Sequence, residues 1–148
     1  MPDGIYFVKQ NAIFNKLKRD LNKYSEDLIN QLDAEIGASV EDMAREAKIK
    51  APAGPTGRLR SSIYAKKDEN AKLAYNLKAA VRYAAYVEFG TGPEAQKYTA
   101  SIDPEWEEYA DQFRTSNPGH TRPKPFFYPV VRSIFPQMVK RIEDIIKG

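Results

Sequence analysis

Ten apolar residues fall on one helical stripe between positions 11 and 50, and that stripe limits what the chain can build. They are Ile13, Leu17, Leu21, Tyr24, Leu28, Leu32, Ile36, Val40, Met43 and Ala47. Steps of four dominate, and the mean step is about 3.7–3.8, nearer the 11-residue period than the heptad. Such a pattern predicts one nearly straight helix over residues 11–50. Gly37 and Ser39 mark the alternative, a kink, with Ser39 and Asp42 resembling a capping box. The stripe keeps its phase across Gly37, which favours continuity. Unbroken, the helix would be about 60 Å long. A chain of 148 residues makes one domain, residues 1–148, and cannot cover that length alone. Part of the stripe (Leu17, Leu21, Tyr24 and Leu28) is therefore expected to meet another chain.

Ala51-Pro52 ends the helix, because proline disfavours helical geometry in the residue before it. APAGPTG (51–57) is a Pro/Gly loop. RLRSSIYAKK then alternates, with Leu59, Ser61, Ile63 and Ala65 on one side and Arg60, Ser62, Tyr64 and Lys66 on the other. After the turn KDEN (67–70), Leu73, Tyr75, Leu77, Ala79 and Val81 share a face. Two period-two runs joined by a polar turn predict an antiparallel hairpin with one buried face, covered by the long helix. YAAYVEFGTGP (83–93) follows and reads as a structural corner, with Tyr83, Tyr86 and Phe89 as filling and Gly90 and Gly92 as turn residues. Its one carboxylate, Glu88, is expected to accept from backbone amides or to pair with Arg58 or Arg122.

Residues of about 93–122 hold prolines and polar residues and read as a long, mobile loop with one or two helical turns. The exception is DPEWEEYADQF, in which Asp103 would be the N-cap, Pro104 the first helical residue, and Trp106, Tyr109, Ala110 and Phe113 a shared face. Those aromatics are a second candidate assembly surface. RPKPFFYPVVRSIFPQMVKRIEDIIKG predicts a C-terminal helix with Pro129 in its first turn and Val130, Ile134, Met138, Ile142 and Ile145 as its stripe. Pro136 inside that pattern should kink it or remove one hydrogen bond. The fold class expected is α+β: a long N-terminal helix packed on a small antiparallel sheet, with a C-terminal helix.

Chemistry finds little purchase. The chain has no cysteine and one histidine, which leaves no thiolate nucleophile and no soft-ligand metal cluster. His120 sits in the turn-rich NPGHTRP. GPTGRLRSS lacks the spacing of a phosphate loop and leads into alternation rather than a helix N-terminus. Glu105, Glu107 and Glu108 are neighbours and do not promise two carboxylates held across a cleft. Arg58, Arg60, Lys66 and Lys67 around Tyr64 could meet a single strand, yet a net charge of +3 is weak for a dedicated nucleic-acid binder. Mean hydropathy is -0.61 and no long apolar run exists, which excludes a transmembrane helix. MPDGIYFVKQ shows no secretory pattern, and synthesis in the cytosol is expected.

The order AKIKAP, TGRLRSSI, hairpin, YAAYVEFGTGP, variable segment and RPKPFFYPVV resembles the tailed-phage family named after the gp10 protein of phage HK97. Its pattern maps onto Ala51, Pro52, Thr56, Gly57, Leu59, Ser62 and Ile63. It continues over Tyr83, Ala84, Tyr86, Val87, Glu88, Phe89, Gly90, Thr91 and Gly92, and ends at Pro123, Pro125, Phe126 and Pro129. The APAGPTG loop departs from it by being slightly longer. The resemblance implies a virion component without enzymatic activity or cofactor, made in the bacterial host cytoplasm. It implies tail completion and head–tail joining in the neck, as one subunit of a six-fold ring among other neck and tail proteins, with nucleic acid at most passing through. A tail terminator or minor capsid protein of the same fold is the alternative, and a nucleic-acid-binding module on the Arg58–Lys67 strand the second.

Overall fold

The computed structural model describes residues 5–7, 12–54, 56–114 and 121–148. The predicted N-terminal helix is two helices, and the break is not at Gly37. Helix α1 (Ala12–Asp20) runs into a single 3-10 turn at Leu21–Lys23, and α2 (Glu26–Lys50) starts afresh. Ser25 is the reason: its side chain accepts from the Leu28 amide at 3.1 Å, with Glu26 and Asp27 in the first turn. A hydroxyl there and two acids against the positive helix end favour a new N-terminus over continuation. Helix α2 ends where expected, with Ala51 extended ahead of Pro52.

Gly37 lies mid-helix for a packing reason. A Cβ there would stand 2.8 Å from the Tyr75 hydroxyl. That hydroxyl donates to Asp33 at 3.1 Å, and Asp33 also holds Lys67 at 3.1 Å. The absent side chain lets the sheet approach the helix.

Helix α3 (Arg58–Ser61) occupies what alternation assigned to a strand. Gly57, at φ 66°, turns the chain into it, and the Ser62 hydroxyl bonds back to Leu59. Strand β2 (Ile63–Lys67) pairs antiparallel with β3 (Tyr75–Ala79), which also pairs with β1 (Ile5–Phe7). The sheet order is β1-β3-β2. Ile63, Leu77 and Ala79 are buried towards α2, as the period-two reading required.

The expected loop at 93–122 is largely helical: α5 (Pro93–Ala100) and α6 (Pro104–Arg114) follow the short α4 (Ala84–Phe89). Both longer helices begin on a proline, whose fixed φ suits a first turn and whose missing N–H costs nothing there. Helix α7 (Tyr128–Lys147) packs along α2. Val130, Met138 and Ile142 of its stripe are buried, and Pro136 sits inside it. Arg141 ties the two helices by reaching Glu35 and the buried Ser39 hydroxyl, the latter at 3.2 Å. The observed class is α+β, as the sequence predicts. The side chains of Ile13 and Phe113, and His120, lie outside the described residues.

Candidate functional site

Glu88 organises the region that sequence singled out. It sits on the inner side of α4 and is 0% exposed. One oxygen, Oε1, accepts the amides of Phe126 at 2.9 Å and Phe127 at 2.6 Å. The other, Oε2, accepts the Tyr98 hydroxyl at 2.9 Å and, at 3.4 Å, the Tyr128 amide. A carboxylate offers about four acceptor positions, so this one is filled.

Sequence explains why these amides need it. The segment 123–129 reads Pro-Lys-Pro-Phe-Phe-Tyr-Pro. Its three prolines have no N–H. Lys124 donates to the Val87 carbonyl at 2.8 Å. The remaining three amides are those Glu88 receives, and they stand at the start of α7, where helical partners do not exist. No local side chain caps α7; the cap comes from α4. Negative charge is also favoured at that helix end.

Burial pushes the Glu88 carboxyl above its ordinary range, and the Phe126 and Phe127 amides, the Tyr98 hydroxyl and the Tyr128 amide pull against that. Burial likewise raises the Tyr98 phenol, helped by the adjacent Glu88 charge.

The glycines fasten the same lock. Gly90, at φ 72°, would place a Cβ 2.5 Å from the Thr121 carbonyl oxygen and 2.8 Å from Pro123. That closeness allows Thr91 and Thr121 to exchange backbone bonds, with the Thr121 amide also reaching the Thr91 hydroxyl at 2.8 Å. Gly92 precedes Pro93 at φ 81°. Above the lock lies an aromatic cluster. Trp106 stands 6.5 Å from Phe89, 6.1 Å from Phe127 and 5.1 Å, edge-on, from Tyr128. Tyr109 stands 6.1 Å from Phe89.

The motif residues therefore divide. Glu88, Phe89, Gly90, Thr91, Phe126 and the half-buried Tyr86, Pro125 and Pro129 gather at the lock, while Tyr83 is 43% exposed beside it. Pro52, Thr56, Gly57 and Leu59 form the passage from α2 to β2, with only Leu59 buried among them. The arginine partners expected for Glu88 are not its partners. Arg122 pairs with Glu94 at 3.0 Å, and Arg58 is exposed. Of the residues expected to meet another chain, Leu17 and Trp106 lie in this chain's own core. Leu21, Tyr24, Leu28 and Tyr109 are half-buried against it. The basic strand is also partly engaged: Arg60 Nε donates to the Ala51 carbonyl at 2.7 Å, and Lys67 holds Asp33.

Sequence reasoning missed Tyr98 and the Thr91–Thr121 bridge. Tyr98 carried no signal, being one tyrosine in a stretch read as loop. The amide-poor Pro-Lys-Pro-Phe-Phe-Tyr-Pro did carry one, since its three remaining donors demand an outside acceptor.

No group of His, Cys, Asp or Glu among the described residues is placed to hold a metal ion. No helix among them is long and apolar enough to cross a membrane. No curated protein and no solved structure matches the chain. The family model HK97-gp10_like, described as "Bacteriophage HK97-gp10, putative tail-component", matches residues 15–90. That match covers the first motif stretch, the second as far as Gly90, and just over half of the chain. The chain belongs to the HK97 gp10-like family of bacteriophage tail components.

Proposed function

We propose that this tail component is a non-enzymatic structural subunit that completes the tail and joins it to the head, acting in the neck as part of a closed, six-fold ring. The family match supports a tail component in the virion among other tail proteins. The observation that carries the non-enzymatic part is the saturation of Glu88: the motif's only carboxylate spends its acceptor positions on four donors of its own chain. A catalytic acid or base needs a position open to substrate. A ring suits an asymmetric subunit, because one surface meets a different surface on the next copy and the rotation closes.

Deletion of the gene from its phage or prophage, followed by negative-stain microscopy of the induced lysate, tests this. Filled heads and finished tails lying apart are the expected result. Tails of abnormal length would favour a tail terminator. Normal, infectious virions would overturn both.

A further inference from the structure

Ile49 is the most exposed large hydrophobic residue described, at 65%. It lies in the last turn of α2 between Lys48 and Lys50, both exposed. Neither lysine has an ion-pair partner among the described residues. Arg60 is drawn to the same end by its bond to the Ala51 carbonyl, and the exposed Arg58 stands two residues away in α3. The result is an exposed apolar knob in a mostly basic surround, with the acidic Glu46 one turn back on its own helix face.

A socket of matching character lies between α6 and α7. It is a pocket of about 80 Å³ lined by Asp103, Trp106, Tyr128, Arg132, Phe135 and Pro136 among others. A cavity of roughly 150 Å³ takes a benzene, so this one has the scale of an aliphatic side chain. Pro136 shapes its wall, since it has no N–H to give the Arg132 carbonyl one turn earlier. Asp103 and Arg132 form an exposed pair at 3.7 Å on its rim. Glu107 lies one turn from Asp103 on the same side of α6, and Glu105 and Glu108 flank it on the exposed surface. Ile49, being exposed, does not fill this socket in its own chain.

We infer that Ile49 of one copy, with Lys48 and Lys50 around it, seats in the Trp106–Phe135 pocket of the next copy, where the acidic surface of α6 meets the lysines. The inference rests on the proposed ring and names its contact. Knob and socket are different surfaces of one chain, so the contact is head-to-tail and propagates to a ring when the rotation closes. Net opposite charge on the two sides, basic around Ile49 despite Glu46 and acidic around the socket despite Arg132, sets register and opposes knob-to-knob pairing.

Because the chain has no cysteine, Ile49→Cys and Arg132→Cys single variants can be mixed, assembled and oxidised. A disulfide-linked dimer is expected in the mixture and not with either variant alone. Lys48→Glu/Lys50→Glu is expected to lower incorporation into particles by about tenfold or more, with Glu105→Lys/Glu107→Lys/Glu108→Lys restoring it. Unchanged melting of each isolated variant separates lost contact from lost fold. Rings that form without the cross-link, and that tolerate the charge reversal, would overturn this contact and leave the ring standing. Particles whose neck holds no ring of this chain would overturn both. Rings that persist while Lys48→Glu/Lys50→Glu abolishes salt-sensitive binding of duplex DNA would show a nucleic-acid surface instead, and overturn the knob.

Discussion

Glu88→Ala and Glu88→Gln together test whether the lock works through acceptor oxygens or through charge. Alanine leaves the buried Phe126 and Phe127 amides, now bonded at 2.9 and 2.6 Å, without an acceptor. Each such donor costs about 1–3 kcal/mol, so the pair costs about 2–6 kcal/mol. The Tyr98 hydroxyl is half-buried and can turn to water, so it adds less. Against a total stability of about 5–15 kcal/mol, this is a severe loss. For a domain of this size it corresponds to a fall in Tm of about 4–24 °C. Glutamine keeps an oxygen for the two amides and can donate its amide to the Tyr98 hydroxyl oxygen, losing only the long Tyr128 contact at 3.4 Å. Burial raises the Glu88 carboxyl, so the folded state holds a proton there more readily than the unfolded chain does, and glutamine imitates that protonated form. Its cost near neutral pH is expected below about 1 kcal/mol.

The sign of the pH dependence follows from the same shift. A carboxyl raised in the folded state binds protons more readily there than in the unfolded chain. Its contribution to stability is full below the ordinary Glu value and is lost as pH rises through the raised one. Wild type should therefore lose stability over that window relative to Glu88→Gln. Urea unfolding followed through the single tryptophan, Trp106, which is packed edge-on to Tyr128, reads all three proteins. Glutamine as damaging as alanine at pH 7 would refute the reasoning and show that the ionised carboxylate is required. Alanine within about 1 kcal/mol of wild type would refute the lock altogether.

Gly37→Ala places a methyl 2.8 Å from the Tyr75 hydroxyl. Overpacking of about 1–3 kcal/mol should outweigh the ~1 kcal/mol gained in helix propensity, and a higher Tm would sink that account. Gly90→Ala meets the Thr121 carbonyl oxygen at 2.5 Å with φ at 72°. Backbone cannot step aside as a side-chain tip can, so chemical denaturation should show a loss of at least about 1–3 kcal/mol, larger than for Gly37→Ala. Ser25→Ala removes the cap of α2 and should cost about 1 kcal/mol; helical content and Tm both unchanged would mean that α2 needs no such start.

The errors of sequence reading share a cause. The apolar stripe from Leu17 to Ala47 keeps phase through Tyr24 because both helices face one core, and phase does not report whether the backbone between them is helical. The local cap, Ser25-Glu26-Asp27, does report it, and the sequence reading does not weigh it. Arg58–Ser61 alternates like a strand over too few residues to distinguish a strand from one helical turn. Pro93 reads as a turn residue, although a proline is equally at home in a first turn; Asp103-Pro104 reads as a helix start and Gly92-Pro93 does not.

Sequence alone determined the end of α2 at Pro52, the buried face of the hairpin at Ile63, Leu77 and Ala79, the C-terminal helix with Pro129 in its first turn and the family, because each rests on residues close in the chain or on an ordered set of short motifs. It left Glu88 between backbone amides and an arginine, and the fold decided for the amides. Tertiary structure decided which amides. The donors lie 38 to 40 residues away, and only the packing of α4 against the start of α7 brings them within reach. It decided too that Trp106 and Leu17 belong to the core and that Ile49 stands outside it. An apolar side chain gains as much from one dry surface as from another, and which surface it finds is a property of the whole fold.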